Sequence, residues 1–202
     1  NIEVIKLYCE PNGDFPHNPE PLKKNLTELS KKVIECNADL GIAVDPDVDR
    51  LVFVCEDGEL FGEENTLVAC ADYVLSKTPG STVSNLSSSR ALNDITKKHN
   101  QVHYYSAVGE VNVVDKMKKC KAVIGGEGNG GVIYPKSHYG RDSIVGIGLF
   151  LSLYVERGLI ASKLLETYPK YFMVKEKINL SPSLDVDNIL GQIAEKYKNE
   201  NI

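Results

Sequence analysis

Short β-branched segments alternate with stretches of helical periodicity along most of this 202-residue chain. Apolar runs such as LVFVC at 51–55 are too short for helices, whereas Leu67, Val68, Ala71 and Val74 recur at the spacing of one helix face. Because an alternation of strand and helix signals is typical of α/β proteins, we predict mixed β-sheets with flanking helices.

The same patterns place the individual elements. Strands are predicted at 2–9, 39–44, 51–55, 81–86, 101–107, 121–126 and 131–135, with a strand-like stretch at 172–180. Helices are predicted at about 20–36, 62–77, 89–99, 111–119, 142–158, 161–168 and 187–199. The segment 142–158 is apolar on nearly all sides, which predicts a buried helix. The sequence EDGEL at 56–60 is expected to form a hairpin turn.

Composition excludes several classes of function. The net charge is −5 and the basic residues are scattered, which argues against a nucleic-acid surface. No apolar run approaches the roughly 20 residues that span a bilayer, so no membrane partner is expected. The five cysteines lie far apart without a CxxC pair, and we expect buried free thiols in a reducing cytoplasm. No targeting segment is recognised, and the absent initiator Met suggests a piece of a longer chain.

The loop DPDVDR places Asp45, Asp47 and Asp49 at alternating positions between two apolar strands. Three carboxylates this close repel one another unless a cation holds them, and oxygen-only ligands favour Mg²⁺ or Ca²⁺. Arg50 follows directly and could bind a phosphate beside the metal. A solvated acidic turn remains the alternative. An EF-hand is rejected, because its sixth position must be glycine and is Arg50 here.

A second loop, GGEGNGG at 125–131, follows a predicted strand. Its spacing matches G-x-G-x-x-G, but a dinucleotide site needs a helix to start there, and the extended GVIYP follows instead. The loop offers a carboxylate, Glu127, and an amide, Asn129, which suit sugar hydroxyls. The alternative is a plain tight turn.

The two loops, in this order, resemble those of the α-D-phosphohexomutase family. DPDVDR resembles the magnesium loop D-G-D-G-D-R, and GEGNG resembles the sugar-binding loop G-E-x-S-G. The wider segments ADLGIAVDPDVDRLVFV, SAVGEVNVVDKM and GGEGNGGVIYPKSHYGRD match as well. Pro46 and Val48 replace glycines of the metal loop, Asn129 replaces the sugar-loop serine, and Gly131 replaces a frequent histidine.

The resemblance implies a division of the chain. Residues 1–61 would be the C-terminal part of domain 2 with the metal loop, 62–172 domain 3 with the sugar loop, and 173–202 a linker and the start of domain 4. The family's serine loop, T-A-S-H-N-P, has no counterpart, because Pro16 stands at the serine position of PHNPEP. Ser87, Ser88 and Ser89 are interpreted as helix-capping residues.

The resemblance further implies a Mg²⁺-dependent phosphohexomutase that interconverts hexose 6-phosphates and hexose 1-phosphates, with glucosamine phosphate as the favoured sugar. Phosphomannomutase or phosphoglucomutase activity is the alternative, and a non-catalytic metal-binding module is the alternative of another class. The nucleophilic serine is absent, so the isolated chain is expected to be inactive. Domains 1 and 4 of the same protein would complete the enzyme. The implied roles are metal binding for Asp45, Asp47 and Asp49, phosphoryl contact for Arg50, and substrate binding for Glu127, Asn129, Arg141 and His138.

Overall fold

The computed structural model describes residues 2–174, 179–181 and 184–199. It divides into two compact units, Asn1–Tyr171 and Phe172–Ile202. Among the described residues, no helix is long and apolar enough to cross a membrane.

The first unit begins with a helix packed on a β-hairpin. After a single 3₁₀ turn at Lys23–Asn25, helix α1 (Thr27–Glu35) leads into the antiparallel strands β1 (Leu40–Val44) and β2 (Leu51–Cys55). Gly41 lets the helix approach, because a Cβ there would overlap Val33 of α1. All five residues of β2 are buried, so this strand connects the hairpin to the core.

A four-stranded sheet forms the rest of the first unit. Its strands are β3 (Thr82–Asn85), β4 (His103–Ser106), β5 (Ile124–Glu127) and β6 (Gly131–Ile133), in the order β4-β3-β5-β6. Strand β3 pairs in parallel with β4 and β5, and β6 is antiparallel to β5. Because the chain moves outward to β4 and then back past β3 to β5, the carboxyl ends of β3 and β5 meet at a topological switch point, where α/β sheets bind ligands.

Helices cover both faces of this sheet. They are α2 (Glu63–Lys77), α3 (Ala91–Lys98), α4 (Glu110–Cys120), α5 (Ser143–Arg157) and α6 (Ala161–Glu166). The larger core lies among α2, α3, α5, α6 and the hairpin, while α4 closes a smaller core on the other face. Phe53 of β2 stacks on Phe150 of α5 with ring centroids 3.8 Å apart, so hairpin and sheet share one core. The predicted fold class, mixed sheets with flanking helices, is confirmed.

Two predictions about individual elements are wrong. Residues 2–9 form no strand; Ile2, Val4 and Ile5 are exposed, and β propensity without a pairing partner does not make a strand. Helix α5 is buried on one face only, because Ile144 and Val155 are 66% and 78% exposed.

The cysteine prediction holds only in part. All five thiols are free, but only Cys55 and Cys70 are buried, whereas Cys9 is exposed and Cys36 and Cys120 are half-buried. Burial raises the pKa of both core thiols to about 12, so they stay protonated at neutral pH.

The second unit contains helix α7 (Val186–Tyr197), as predicted from its apolar spacing. The Asp185 carboxylate caps it by accepting a hydrogen bond from the N–H of Asn188 at 3.1 Å. The strand predicted at 172–180 falls partly on residues 175–178, which lie outside the described part of the chain; its described residues are irregular.

Candidate active site

The acidic loop at 45–50 closes the β1–β2 hairpin, where Val44 pairs with Leu51. The buried carboxylate of Asp45 organises it: Oδ1 accepts hydrogen bonds from the N–H groups of Asp49 and Arg50 at 3.0 and 2.9 Å. Burial alone would raise the pKa of Asp45, but the hydrogen bonds, led by that from Arg50, bring it below its ordinary value. Asp45 is therefore a carboxylate at neutral pH.

The three aspartates of the loop converge. One carboxylate oxygen from each of Asp45, Asp47 and Asp49 lies within 4.8 Å of the other two. Burial, followed by the neighbouring carboxylates of Asp45 and Asp47, raises the pKa of Asp49 to about 6, although Arg141 acts in the opposite direction. Asp49 Oδ1 is buried without a hydrogen-bond partner among the described residues. An unpartnered, buried carboxylate oxygen within an all-oxygen donor set fits a hard divalent cation such as Mg²⁺.

Arg50 borders this cluster. Its Nε lies 3.6 Å from Asp45 Oδ2 and 3.8 Å from Asp49 Oδ1, and its Nη1 donates to Glu20 Oε1 at 3.2 Å. The side chain is one-third exposed, so its guanidinium group can reach an incoming anion. Arg50 therefore lies against the acidic loop, and its predicted contact with a phosphoryl group stays a prediction.

The turn at residues 128–130, called the glycine loop below, lies against the acidic loop. It links β5 to β6, and the carbonyl oxygen of Gly130, in its tight turn, accepts a hydrogen bond from the N–H of Leu51 at 3.1 Å. Gly130 has a φ of 92°, a conformation that side chains with a Cβ rarely adopt. The two loops that the sequence singled out are thus joined through backbone atoms.

Glu127 lies at the end of β5 and is buried. Its Oε1 accepts hydrogen bonds from Asn85 Nδ2 at 2.6 Å and from the N–H of Gly109 at 3.3 Å, while Oε2 accepts from Arg141 Nη1 at 2.9 Å. Each carboxylate oxygen already has a protein partner. A ligand hydroxyl could use the remaining lone pairs, since a carboxylate offers about four acceptor sites.

Asn129 is half-buried in the turn after Glu127. Its Oδ1 accepts a hydrogen bond from the N–H of Gly131 at 3.2 Å, which fixes the loop and leaves the Nδ2 end for a ligand.

Asn85 is a site residue that the sequence analysis missed. It ends β3 at the switch point, directly beside Glu127. Its Oδ1 accepts from Ser88 Oγ at 2.8 Å, and Ser88 Oγ in turn accepts from the N–H of Gly128 at 2.9 Å. The interpretation of Ser88 as a helix cap is therefore wrong, because this hydroxyl supports the glycine loop. Ser89 does bond the first residue of α3, Ala91, at 3.3 Å.

Arg141 and His138, the two remaining predicted site residues, differ in their surroundings. Arg141 is 14% exposed and lies between the two loops, in contact with Asp49, Glu127 and Glu110. His138 is half exposed and bonds Asp142, the N-cap of α5, at 2.8 Å. The structure thus brings Arg141 to the site, whereas His138 is engaged at the start of α5.

Two family models match consecutive parts of this chain. The family model "Phosphoglucomutase/phosphomannomutase, alpha/beta/alpha domain II" matches residues 1–58, and the corresponding model for domain III matches 63–171.

Similar proteins carry related names. A probable phosphoglucosamine mutase of Methanopyrus kandleri is 35% identical over 184 residues, covering 90% of this chain and 41% of that protein. A phosphoglucomutase/phosphomannomutase of Thermococcus kodakarensis is 33% identical over 195 residues, covering 96% of this chain and 42% of that protein. The chain thus spans about two fifths of the length of these relatives.

A solved structure shares the fold. The crystal structure of a phosphoglucomutase/phosphomannomutase family protein from Burkholderia thailandensis matches with a TM-score of 0.74 and 28% identity. The match covers 83% of this chain and 37% of that one.

Proposed function

Because this chain belongs to the phosphoglucomutase/phosphomannomutase family, we propose that it forms part of a magnesium-dependent phosphohexomutase, an isomerase that interconverts hexose 6-phosphates and hexose 1-phosphates. The observation that carries the proposal is the convergence of Asp45, Asp47 and Asp49 beside Arg50, with Glu127 joined to the same loop through Arg141.

Each side chain has a role that follows from its chemistry. Asp45, Asp47 and Asp49 would hold the cation, which when bound neutralises charge on a phosphoryl group. Arg50 would bind phosphoryl oxygens through the guanidinium edge that now contacts Glu20. Glu127 and Asn129 would orient the sugar through its hydroxyls. We assign no phosphate contact to Arg141 or His138, since carboxylates already engage both.

The phosphoryl carrier would be a phosphoserine from another part of the enzyme. Its phosphoryl would pass to the free hydroxyl of a hexose monophosphate: the serine O–P bond breaks and a sugar O–P bond forms. The sugar hydroxyl loses a proton and the freed serine oxygen takes one up, so the serine hydroxyl is regenerated. The bisphosphate then reorients and returns its other phosphoryl to the serine. This chain, with no such serine loop, would supply cation, phosphate and sugar contacts but no nucleophile.

Glucosamine phosphate is the favoured sugar. Its support is the name of several relatives, including those of Methanopyrus kandleri and Methanosarcina barkeri, each called a probable phosphoglucosamine mutase. Glucose and mannose phosphates are the alternatives, because other relatives carry phosphoglucomutase and phosphomannomutase names.

Calorimetric titration with Mg²⁺ tests the cation site. Asp47 is exposed, so Asp47→Asn should remove a ligand without disturbing the core, and we expect at least tenfold weaker binding. Asp57→Asn is the matched control, because this exposed aspartate lies in the turn at the other end of β2. Identical isotherms for wild type and Asp47→Asn would show that the loop is a solvated turn and not a cation site.

A coupled assay tests the reaction. The chain alone should convert no hexose 1-phosphate in the presence of Mg²⁺ and an activating hexose bisphosphate. The longer mutase that contains it should convert glucosamine, glucose or mannose phosphate. A longer protein inactive toward all three sugars would contradict the proposed function.

A further inference from the structure

Arg141 contacts three carboxylates that come from three different elements. Its Nη2 pairs with Asp49 Oδ2 in the acidic loop, its Nη1 lies 2.9 Å from Glu127 Oε2 at the end of β5, and its Nε lies 3.2 Å from Glu110 Oε2 at the start of α4. The Arg141 N–H also donates to Glu110 Oε1 at 3.2 Å. A planar guanidinium group held on three edges has a fixed orientation.

This fixed orientation decides which oxygen of Asp49 is free. Oδ2 is occupied by Arg141, and Oδ1 is the buried oxygen that lacks a hydrogen-bond partner within the described part of the chain. Arg50 Nε approaches Oδ1 only to 3.8 Å. The free oxygen therefore remains on the side of Asp49 away from Arg141.

Gly131 makes room for the arginine. A Cβ at this position would overlap Cδ of Arg141, although the backbone of Gly131 has an ordinary strand conformation that alanine can adopt. Because three carboxylates hold the guanidinium group, the arginine stem has little freedom to move aside. Residue 131 thus controls the position of Arg141 without touching its charge.

We propose that Arg141 is a positioning residue of the cation site. It holds Asp49 so that Oδ1 faces the oxygens of Asp45 and Asp47, and through Glu127 it ties the acidic loop to the glycine loop. The inference rests on the proposed function, since it requires Mg²⁺ to bind at the acidic loop. Outer-shell groups that orient a ligand typically change metal affinity by 10- to 100-fold.

Removing Arg141 separates positioning from simple charge neutralisation. Arg141→Gln deletes a positive charge in contact with a ligand, so Coulomb's law alone predicts tighter Mg²⁺ binding. If the arginine positions Asp49, the same variant binds Mg²⁺ about tenfold more weakly in calorimetric titration. The two roles thus predict opposite signs for one measurement.

Selectivity between cations gives a second readout. Mg²⁺ demands near-ideal octahedral ligands, whereas Ca²⁺ accepts flexible geometry. A badly oriented Asp49 should therefore lower the affinity for Mg²⁺ more than that for Ca²⁺, by at least threefold in the ratio. Arg141→Lys should restore only part of the affinity, because an ammonium group cannot hold two carboxylates in one plane.

Two variants keep the test decisive. Gly131→Ala displaces Arg141 while preserving every charge, so it should also weaken Mg²⁺ binding, and it serves where Arg141→Gln fails to fold. Arg157→Gln is the matched control: Arg157 also pairs with a buried carboxylate, Asp72 at 2.8 Å, but it lies at the opposite end of α5 from Ser143, about 21 Å along the helix axis. Its Mg²⁺ affinity should equal that of wild type.

The outcomes are distinct. Weaker binding and lost selectivity in Arg141→Gln and Gly131→Ala support the inference. If wild type binds Mg²⁺ and both variants bind it as tightly or more tightly, the inference is overturned and the proposed function stays intact. A wild-type chain that binds no Mg²⁺ overturns the cation site of the proposed function and the inference with it.

Discussion

The N–H of Leu51 donates a hydrogen bond to the carbonyl oxygen of Gly130, with the two atoms 3.1 Å apart. Leu51 is the first residue of β2 after the acidic loop, and Gly130 ends the turn of the glycine loop. This single backbone contact joins the two segments that carry the proposed chemistry.

Gly130→Ala should break this junction. Residue 130 has a φ of 92°, and a Cβ there would overlap the backbone oxygen of Leu51. Gly158→Ala is the matched control, because Gly158 also has a positive φ, 61°, but has open space around it. We expect Gly130→Ala to lower the free energy of unfolding by at least about 1 kcal/mol more than the control does, because a strained backbone conformation usually costs at least that much. Urea denaturation measures the difference. Equal losses would show that the junction contributes little.

Val48→Gly should stabilise the chain. Val48 lies in the acidic loop with a φ of 59°, and a β-branched residue there is strained by about 1–2 kcal/mol. Its side chain is only partly covered, and glycine costs about 0.5–1 kcal/mol of unfolded-state entropy, so a net gain of up to about 1.5 kcal/mol is expected. Thermal unfolding measures it. Asn37→Gly is the control: Asn37 has a φ of 50°, but asparagine tolerates this region, so its gain should be smaller. A destabilised Val48→Gly would contradict the strain argument.

The spacing of apolar residues within single segments predicted most helices and strands. The hairpin β1–β2, helices α2 to α6 and the strands of the larger sheet appear close to their predicted positions, because apolar spacing within one segment reports its burial. Residues 2–9 show the limit: their β-branched composition is real, but a strand requires a neighbour, and composition does not provide one.

The contacts within the site depend on long-range geometry. The pairing of Asn85 with Glu127 joins residues 42 positions apart, and only the strand order β4-β3-β5 makes them neighbours. The signal that could have suggested this pairing is a polar residue at the carboxyl end of each strand, Asn85 in β3 and Glu127 in β5. The contact of Arg141 with Asp49 joins the segment between β6 and α5 to the acidic loop of the β1–β2 hairpin, and no spacing in the sequence encodes it.

His103 belongs to a chain of hydrogen bonds that fixes its protonation state. Thr96 donates its hydroxyl proton to the carbonyl of Leu92 at 2.7 Å, so Thr82 donates to Thr96 and accepts from His103 Nδ1, each at 2.7 Å. Ser84 donates to His103 Nε2 at 3.1 Å. The neutral ring has both nitrogens satisfied.

Stability should therefore fall on acidification. Burial, followed by the charge of Lys97, lowers the pKa of His103 from 6.5 to about 4. Between these pH values the unfolded state binds a proton that the folded state does not, so the free energy of unfolding decreases as pH falls through this window, by up to about 3 kcal/mol. Urea denaturation from pH 7 to 4 should show a steeper loss in wild type than in His103→Gln. His17→Gln, at an exposed ring, should follow wild type. Parallel profiles for wild type and His103→Gln would contradict the prediction.

Glu127→Gln should impair every sugar alike in the active mutase that contains this chain. Glu127 is buried between Asn85, Gly109 and Arg141, and in the proposed function it holds hydroxyls that the three sugars share. Glutamine keeps the shape but loses the charge that strengthens hydrogen bonds. Removing a charge-assisted contact worth about 3 kcal/mol lowers kcat/KM by roughly 10²-fold.

The measurement compares glucosamine, glucose and mannose phosphates in the same coupled assay. The three factors should agree within about threefold, because the group at carbon 2 distinguishes these sugars and Glu127 would hold a different edge. Glu56→Gln is the matched control, since Glu56 lies at the far turn of the hairpin and bonds the N–H of Ser162 at 3.1 Å. It should retain wild-type kcat/KM. A Glu127→Gln enzyme that loses one sugar and keeps the others would show instead that this carboxylate reads the identity of the substrate.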